Sequence, residues 1–311
     1  MPKKSIFQTV NYERKYKRLI VVLILFILLF AGFIYINFDY LAFKYFISYN
    51  YIYTETLDQL YVETLSEEGF KGYFRNFDDV AIASFTEKIR ETGGDRYTYL
   101  YTPKQYEITK TYEKEIVKEA VVEEIADGIV YMYIPSISKY TRKFVMDNKK
   151  FLAEYDNIII DLQGNSGGTL NDMYKIADLF LEKNQLIGAE NTRFKLTSRQ
   201  AEASGKKQLE YDNIIILQNA STASACEGLT MALKENLDNV TIIGDTSFGK
   251  GIGQFTMPLK SGFAVKATVM RITTPSGSSI HEIGIEPDFV YTDEDIVEYA
   301  LNFIRDNSRG E

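Results

Sequence analysis

The chain of 311 residues has one cysteine, Cys226, and one histidine, His281. A single thiol excludes an intramolecular disulfide framework, and one thiol with one imidazole is too little for a structural zinc site. Only 20 glycines and 6 prolines are present, which excludes a collagen-like or low-complexity polymer, and a 45% hydrophobic, 25% charged composition excludes disorder. Basic charge is scarce outside the first 18 residues, where Lys3, Lys4, Arg14, Lys15, Lys17 and Arg18 face only Glu13. The remainder carries 29 basic against 42 acidic side chains, net −13. Such a body repels a phosphate backbone, so nucleic acid is not expected as a partner. What the chain does have is length: on a yardstick of ~150 residues per domain, it suffices for about two domains with a core that needs no staples.

Residues 19 to 38, LIVVLILFILLFAGFIYINF, are uncharged. As a helix rising ~1.5 Å per residue they span ~30 Å, the hydrocarbon thickness of a bilayer. The basic cluster before the run and Asp39 after it predict a cytoplasmic N-terminus and an extracytoplasmic body. A cleaved signal peptide is the competing reading. Its apolar core is usually shorter and ends in a small-residue site, whereas this run ends in bulky FIYINF, which favours an uncleaved anchor in the lipid bilayer.

Beyond the apolar run, Leu57, Leu60, Tyr61 and Leu65, then Ile82, Phe85 and Ile89, recur at helical spacing and predict a small helical subdomain. Thr102-Pro103 is suited to open a further helix. From about residue 115 the pattern alternates. Apolar runs at 129–134, 157–162, 213–217 and 240–245 read as strands, separated by helical segments at 141–154, 171–181 and 224–236. That alternation predicts an α/β core with parallel pairing. Residues 198–207 read as a polar loop.

Three glycine- or serine-rich segments follow strands. Gly164-Asn-Ser-Gly-Gly168 fits the G-x-S-x-G elbow that presents a nucleophile, with His281 downstream as a base. The same turn, without chemistry of its own, could hold a backbone N–H toward an oxyanion. In Asn219–Gly228, NASTASACEG, Ser224 and Glu227 have capping-box spacing, and a serine at a helix N-terminus also sits where free N–H groups favour an oxyanion. In Ser247–Gln254, SFGKGIGQ, Lys250 is embedded among glycines, Phe248 and Ile252.

Together with TTPSGSSIHEIGIEPD at 273–288, the segments NIIIDLQGNSGG, NASTASACEG and IIGDTSFGKGIGQ resemble, in order and spacing, the carboxy-terminal processing, or tail-specific, serine peptidase family. The resemblance runs from about residue 93 to about 305. It implies a Clp-protease/crotonase-like α/β spiral with a small N-terminal helical subdomain. It also implies a Ser–Lys dyad, with Ser224 as nucleophile, Lys250 as general base and Gln254 orienting the lysine. The oxyanion donors it implies are the backbone N–H groups of Ala225 and of Gly167, with Gly168 close behind. Two departures stand out. Only about twenty residues separate Tyr106 from Gly128, too few for the PDZ module that the family usually carries there. Cys226 occupies a position where the family usually has a small polar residue, and it reads as packing.

The expectation is therefore a membrane-anchored serine endopeptidase: tail 1–18, anchor 19–38, helical cap 39–115 and catalytic core 116–311. It needs no cofactor and no metal, it acts on proteins or peptides, and a homo-oligomer or regulatory partner stays open. A lysine base with a reference pKa of ~10.4 needs a depression of ~3 units, ~4 kcal/mol, to be uncharged near neutrality, and burial by Phe248 and Ile252 is the expected source. Two alternatives stand beside it: an α/β-hydrolase-type esterase using Ser166 and His281, and a catalytically inert, membrane-tethered binding protein on the same scaffold.

Overall fold

A computed structural model describes residues 6–55, 86–91 and 94–307, with side chains from Tyr12 onward. The helical spacing at Leu57, Leu60, Tyr61, Leu65, Ile82 and Phe85 lies outside the described residues. Contacts divide the chain into two compact units: one of residues 1–49, 53–102 and 256–265, the other of 50–52, 103–255 and 266–311. One of the boundaries falls between Thr102 and Pro103, where the helix that Pro103 opens begins.

In the first unit, helix α1 (Ile6–Ile36) contains a stretch, Tyr12–Ile36, long and apolar enough to cross a membrane, and none of its apolar window is covered by the described residues. Helix α2 (Phe38–Asn50) follows after Asn37 and buries Tyr40, Phe43 and Ile47, the i, i+3, i+7 stripe of an amphipathic helix. A short strand, β1 (Tyr99–Tyr101), comes next in this unit.

The second unit opens with α3 (Pro103–Ile116), β2 (Val121–Ala126) and β3 (Ile129–Tyr133). The segment between Tyr106 and Gly128 is thus filled by one helix and one strand, and no PDZ module is found there among the described residues. The core then builds up through α4 (Lys139–Leu152), β4 (Asn157–Asp161), α5 (Leu170–Ala177), β5 (Leu186–Thr192), β6 (Arg199–Glu202), β7 (Asn213–Gln218), α6 (Ala225–Lys234) and β8 (Val240–Gly244). It closes with β9 (Ile252–Pro258) and β10 (Ala264–Thr273), of which residues 256–258 and 264–265, with the turn between the strands, are counted in the first unit, and with β11 (Phe289–Val290) and α7 (Ile296–Asn307).

The main sheet has the order β11-β8-β7-β4-β3-β2, with every neighbouring pair parallel except β2–β3. This is the mixed α/β fold that the strand–helix alternation predicts. Its strands are apolar on both faces because both faces are covered. Ile158, Ile160, Ile214 and Ile216 pack toward Val145, Met173, Ile176 and Leu229 of the three interleaved helices. Their neighbours Ile159, Ile215 and Leu217 pack toward Ile296, Ala300 and Ile304 of α7. A period-2 strand with helices on each side requires this uninterrupted run of isoleucines.

The polar stretch 198–207 is only in part the loop expected, since residues 203–207 have no regular structure but the four before them do. Arg199–Glu202 forms edge strand β6, paired antiparallel to β5 from Glu190↔Arg199 to Leu186↔Glu202. Antiparallel edge strands tolerate such polar residues because one face and one edge meet solvent.

Candidate active site

Strands β4, β7 and β8 are parallel neighbours, so the loops leaving their carboxyl ends emerge on one side of the sheet. In open α/β sheets that edge is where sites form. The three loops are the three segments singled out in the sequence: 162–169 after β4, 219–224 after β7 and 245–251 after β8.

Hydrogen bonds tie the first two loops together. Ala223 N–H donates to Asn165 O at 3.0 Å, Thr222 Oγ1 to Leu162 O at 2.9 Å, and Gly164 N–H to Asn219 Oδ1 at 3.1 Å. Fully buried Asn165 is the centre of the turn, since its Nδ2 donates to Ile134 O at 2.7 Å and its Oδ1 accepts Gly167 N–H at 2.9 Å. A β-carbon added to Gly167, whose φ is +102°, would lie 2.7 Å from Ser224 Cβ and 3.0 Å from Ala225 N; one on Gly168 would lie 1.7 Å from Ile137 O. Both glycines are therefore required by close approach as well as by backbone conformation. The GNSGG turn rests directly on the segment carrying Ser224.

Ser224 stands at the N-terminus of α6 with φ +58° and ψ −117°, a conformation uncommon for a residue with a side chain. Ala225 opens the helix behind it, among the first N–H groups for which a helix supplies no internal acceptor. Ser166, the competing serine, is exposed on its turn. Cys226 is buried, and burial pushes its thiol well above the usual range, while the backbone of Gly167 acts in the opposite direction. A thiol held protonated is a poor nucleophile and matches the packing role.

The residue that joins these pieces is Glu227. Its side chain is fully buried one helical turn after Ser224. Oε2 accepts Ser224 N–H at 2.7 Å and Lys250 N–H at 2.8 Å, while Oε1 accepts Ser247 Oγ–H at 2.6 Å and Gly249 N–H at 2.7 Å. One carboxylate thus fixes the backbone of both proposed dyad residues. Capping-box spacing locates Glu227 in the sequence, but its two bonds to the 249–250 backbone lie 22 and 23 residues away and have no local signal.

The lysine loop is clasped from its other side by the 280–285 turn. Glu282 N–H donates to Gly249 O at 2.8 Å, Ser247 N–H to Ile285 O at 3.1 Å, and Ile285 N–H to Ser247 Oγ at 2.8 Å. His281 is part of this clasp: Gly251 packs on its backbone, and its Nδ1 is buried without a hydrogen-bond partner. Lys250 itself is half-buried. Of its two expected apolar walls, Ile252 is 1% exposed and Phe248 is 42% exposed. Gln254 lies on β9, and its Nε2 is buried without a hydrogen-bond partner.

At the carboxyl end of β4, Asp161 accepts Tyr131 Oη–H at 2.7 Å and Gln163 N–H at 2.9 Å. Burial pushes its carboxyl above the usual range, with both hydrogen bonds acting in the opposite direction. Among the described residues no cluster of three or more His, Cys, Asp or Glu side chains could hold a metal ion.

Residues 128–291 match the family model described as "Peptidase family S41". The chain is 34% identical over 175 residues to the carboxy-terminal processing protease CtpA of Bacillus subtilis (strain 168), covering 54% of this chain and 36% of that protein. It is 35% identical over 136 residues to a probable CtpA-like serine protease of Staphylococcus haemolyticus (strain JCSC1435), covering 42% and 26%. The match thus takes in about a third or less of either relative's length. Among solved structures, a lipoprotein from Streptococcus agalactiae superposes with TM-score 0.63 at 16% identity, over 83% of this chain and 91% of that one. A putative peptidase from Parabacteroides merdae ATCC 43184 gives 0.54 at 18% identity, over 83% and 93%. At those identities the likeness is one of fold.

Proposed function

This chain belongs to peptidase family S41, a family of serine-type peptidases, and from that premise we propose that it hydrolyses peptide bonds in protein or peptide substrates with Ser224 as nucleophile and Lys250 as general base. The observation that carries the proposal is the Glu227 carboxylate, which holds the backbone N–H groups of Ser224 and Lys250 on a single oxygen. Residues 26 positions apart are thereby parts of one rigid assembly, as a nucleophile and its base must be.

Uncharged Lys250 takes the Ser224 proton as Oγ attacks the substrate carbonyl carbon. The resulting oxyanion is held by backbone N–H groups at the α6 N-terminus and on the GNSGG turn. Collapse breaks the C–N bond, and the lysine returns the proton to the leaving amine. Water deprotonated by Lys250 then hydrolyses the serine ester. The scheme calls for no cofactor. Gly167 N–H is already engaged by Asn165 Oδ1, so Gly168, exposed on the same turn, takes precedence beside Ala225 as oxyanion donor, reversing the order the resemblance implies. Gln254, with a buried and unpaired Nε2, is suited to orient the lysine or a bound substrate.

The proposal extends to the setting. On this reading helix α1 is an uncleaved membrane anchor; its length and apolar composition support that, and its basic N-terminal flank supports a cytoplasmic N-terminus with an extracytoplasmic catalytic unit. The core is a Clp-protease/crotonase-like spiral. A CtpA-like role, the trimming of polypeptide C-termini, goes with the relatives matched here.

The test is active-site labelling by a fluorophosphonate with peptide turnover on the full chain. Ser224→Ala should lose both; Lys250→Ala should lose turnover; Ser166→Ala and His281→Ala should keep labelling and most turnover. Turnover that survives Lys250→Ala and is lost in His281→Ala would overturn the dyad in favour of the esterase reading. A wild type that neither labels nor cleaves would favour the inert binding protein.

A further inference from the structure

The turn between β9 and β10 is held by a residue 221 positions away in sequence. Asp39, in the first turn of α2, is buried, and its two oxygens accept Lys260 N–H at 2.6 Å and Ser261 N–H at 2.9 Å. Lys260 Nζ in turn donates to Tyr35 O at 2.8 Å and lies 4.0 Å from the centre of the Tyr35 ring. Tyr35 belongs to the last turn of α1, where carbonyls lack helical partners and the dipole is negative, so a lysine is favoured there. The turn is closed on itself by Leu259 N–H to Phe263 O at 2.8 Å and Gly262 N–H to Leu259 O at 3.1 Å. Residues 260–262 remain exposed.

A buried carboxylate bound to two backbone N–H groups of an exposed turn fixes that turn in space. What it is fixed to is the end of α1, whose apolar window none of the described residues covers. Tyr35 and Asp39 bracket the point where the apolar run stops. In a bilayer that is headgroup level, where aromatic rings and lysines with apolar stems are both favoured.

We infer that the turn 258–263 is a membrane-contacting element, clamped by Asp39 at the exit of α1 so that Lys260 and Ser261 meet lipid headgroups. The inference rests on the anchor reading above. The ammonium of Lys260 has three donors and is exposed, which suits lipid phosphate. Ten residues separate Lys250 from Lys260. At ~3.3–3.6 Å per extended residue, chain length alone keeps the proposed base within about 35 Å of the headgroups, whatever the arrangement of the two units. The polypeptides such an enzyme reaches are those close to the bilayer surface.

Site-specific fluorescence in vesicles tests this on the full chain. The native Cys226 is buried with its thiol pushed up, so a thiol-reactive dye reports an introduced cysteine. Three single substitutions are labelled: Phe30→Cys within α1, Ser261→Cys on the turn, and Leu196→Cys, at a residue 96% exposed in the other unit. In phosphatidylcholine/phosphatidylglycerol vesicles doped with headgroup-nitroxide lipid, the dye at 261 should be quenched severalfold more than the dye at 196. Adding Asp39→Ala should remove that difference while the dye in α1 stays lipid-embedded; Lys260→Ala, which leaves the backbone N–H groups in place, should weaken it. A dye at 261 quenched no more than at 196, with position 30 embedded, overturns the inference but not the anchor. Position 30 outside the lipid overturns both. Quenching at 261 unaffected by either substitution overturns the clamp.

Discussion

The sharpest consequence of the site concerns Glu227, which touches no substrate in the proposed scheme. Glu227→Ala removes the acceptor of four hydrogen bonds. The Ser247 hydroxyl keeps its bond from Ile285 N–H and can re-aim its proton, so the loss falls on the N–H groups of Ser224, Gly249 and Lys250. Leaving a buried donor unpaired costs ~1–3 kcal/mol each. Ser224 and Lys250 are half-buried and water can partly replace their partner, which brings the total to about 3–5 kcal/mol. Glu227→Gln keeps the shape and one acceptor oxygen. With that oxygen turned toward Ser224 and Lys250, only Gly249 N–H faces the new NH2 group, at about 1–3 kcal/mol. Urea unfolding should therefore rank wild type, Gln and Ala in descending stability, and kcat should fall in the same order, steeply for Ala, with KM changing less. An Ala variant that keeps wild-type kcat, or a Gln variant as damaged as Ala, would falsify the assignment of Glu227 as the element that positions both dyad residues.

Two further outcomes follow from individual residues. Ser224 holds φ +58° with a side chain present, a strain of ~1–3 kcal/mol that glycine does not bear. Comparing Ser224→Gly with Ser224→Ala, both inactive, the glycine variant should be the more stable by about 1 kcal/mol in denaturant unfolding, and equal midpoints would refute a strained nucleophile. Asp161 has its carboxyl raised by burial, so between its unfolded and folded pKa values the native state binds more protons than the unfolded one. Stability should accordingly decline as pH rises through that window, starting from the usual carboxylate range. Asp161→Asn should flatten this segment of the stability–pH curve, and an unchanged slope would sink the explanation.

The fold core was legible because its strands have to be. A parallel sheet covered on both faces permits little but β-branched apolar residues, and the runs at 129–134, 157–162, 213–217 and 240–245 coincide with β3, β4, β7 and β8 to within a residue or so. Edge strand β6 was not legible. An edge strand of RQAE needs no apolar pattern, since its partner β5 supplies the pairing through backbone groups that every sequence possesses. The same distinction divides the site. Ser224, Lys250 and the GNSGG turn were marked by residue type and by position after strands. The contacts that unite them run from one carboxylate to main-chain N–H groups, and a backbone donor leaves no trace in the sequence. His281 illustrates the converse. A lone imidazole downstream of a G-x-S-x-G turn admits a catalytic reading by residue type alone; the turn containing it engages the lysine loop through backbone contacts at Gly249 and Gly251. Whether a titratable side chain works or merely sits near the work depends on which of its atoms face the reacting groups. Here the Nδ1 of His281 is buried without a partner, whereas all four hydrogen bonds of the Glu227 side chain end within the two loops that carry Ser224 and Lys250.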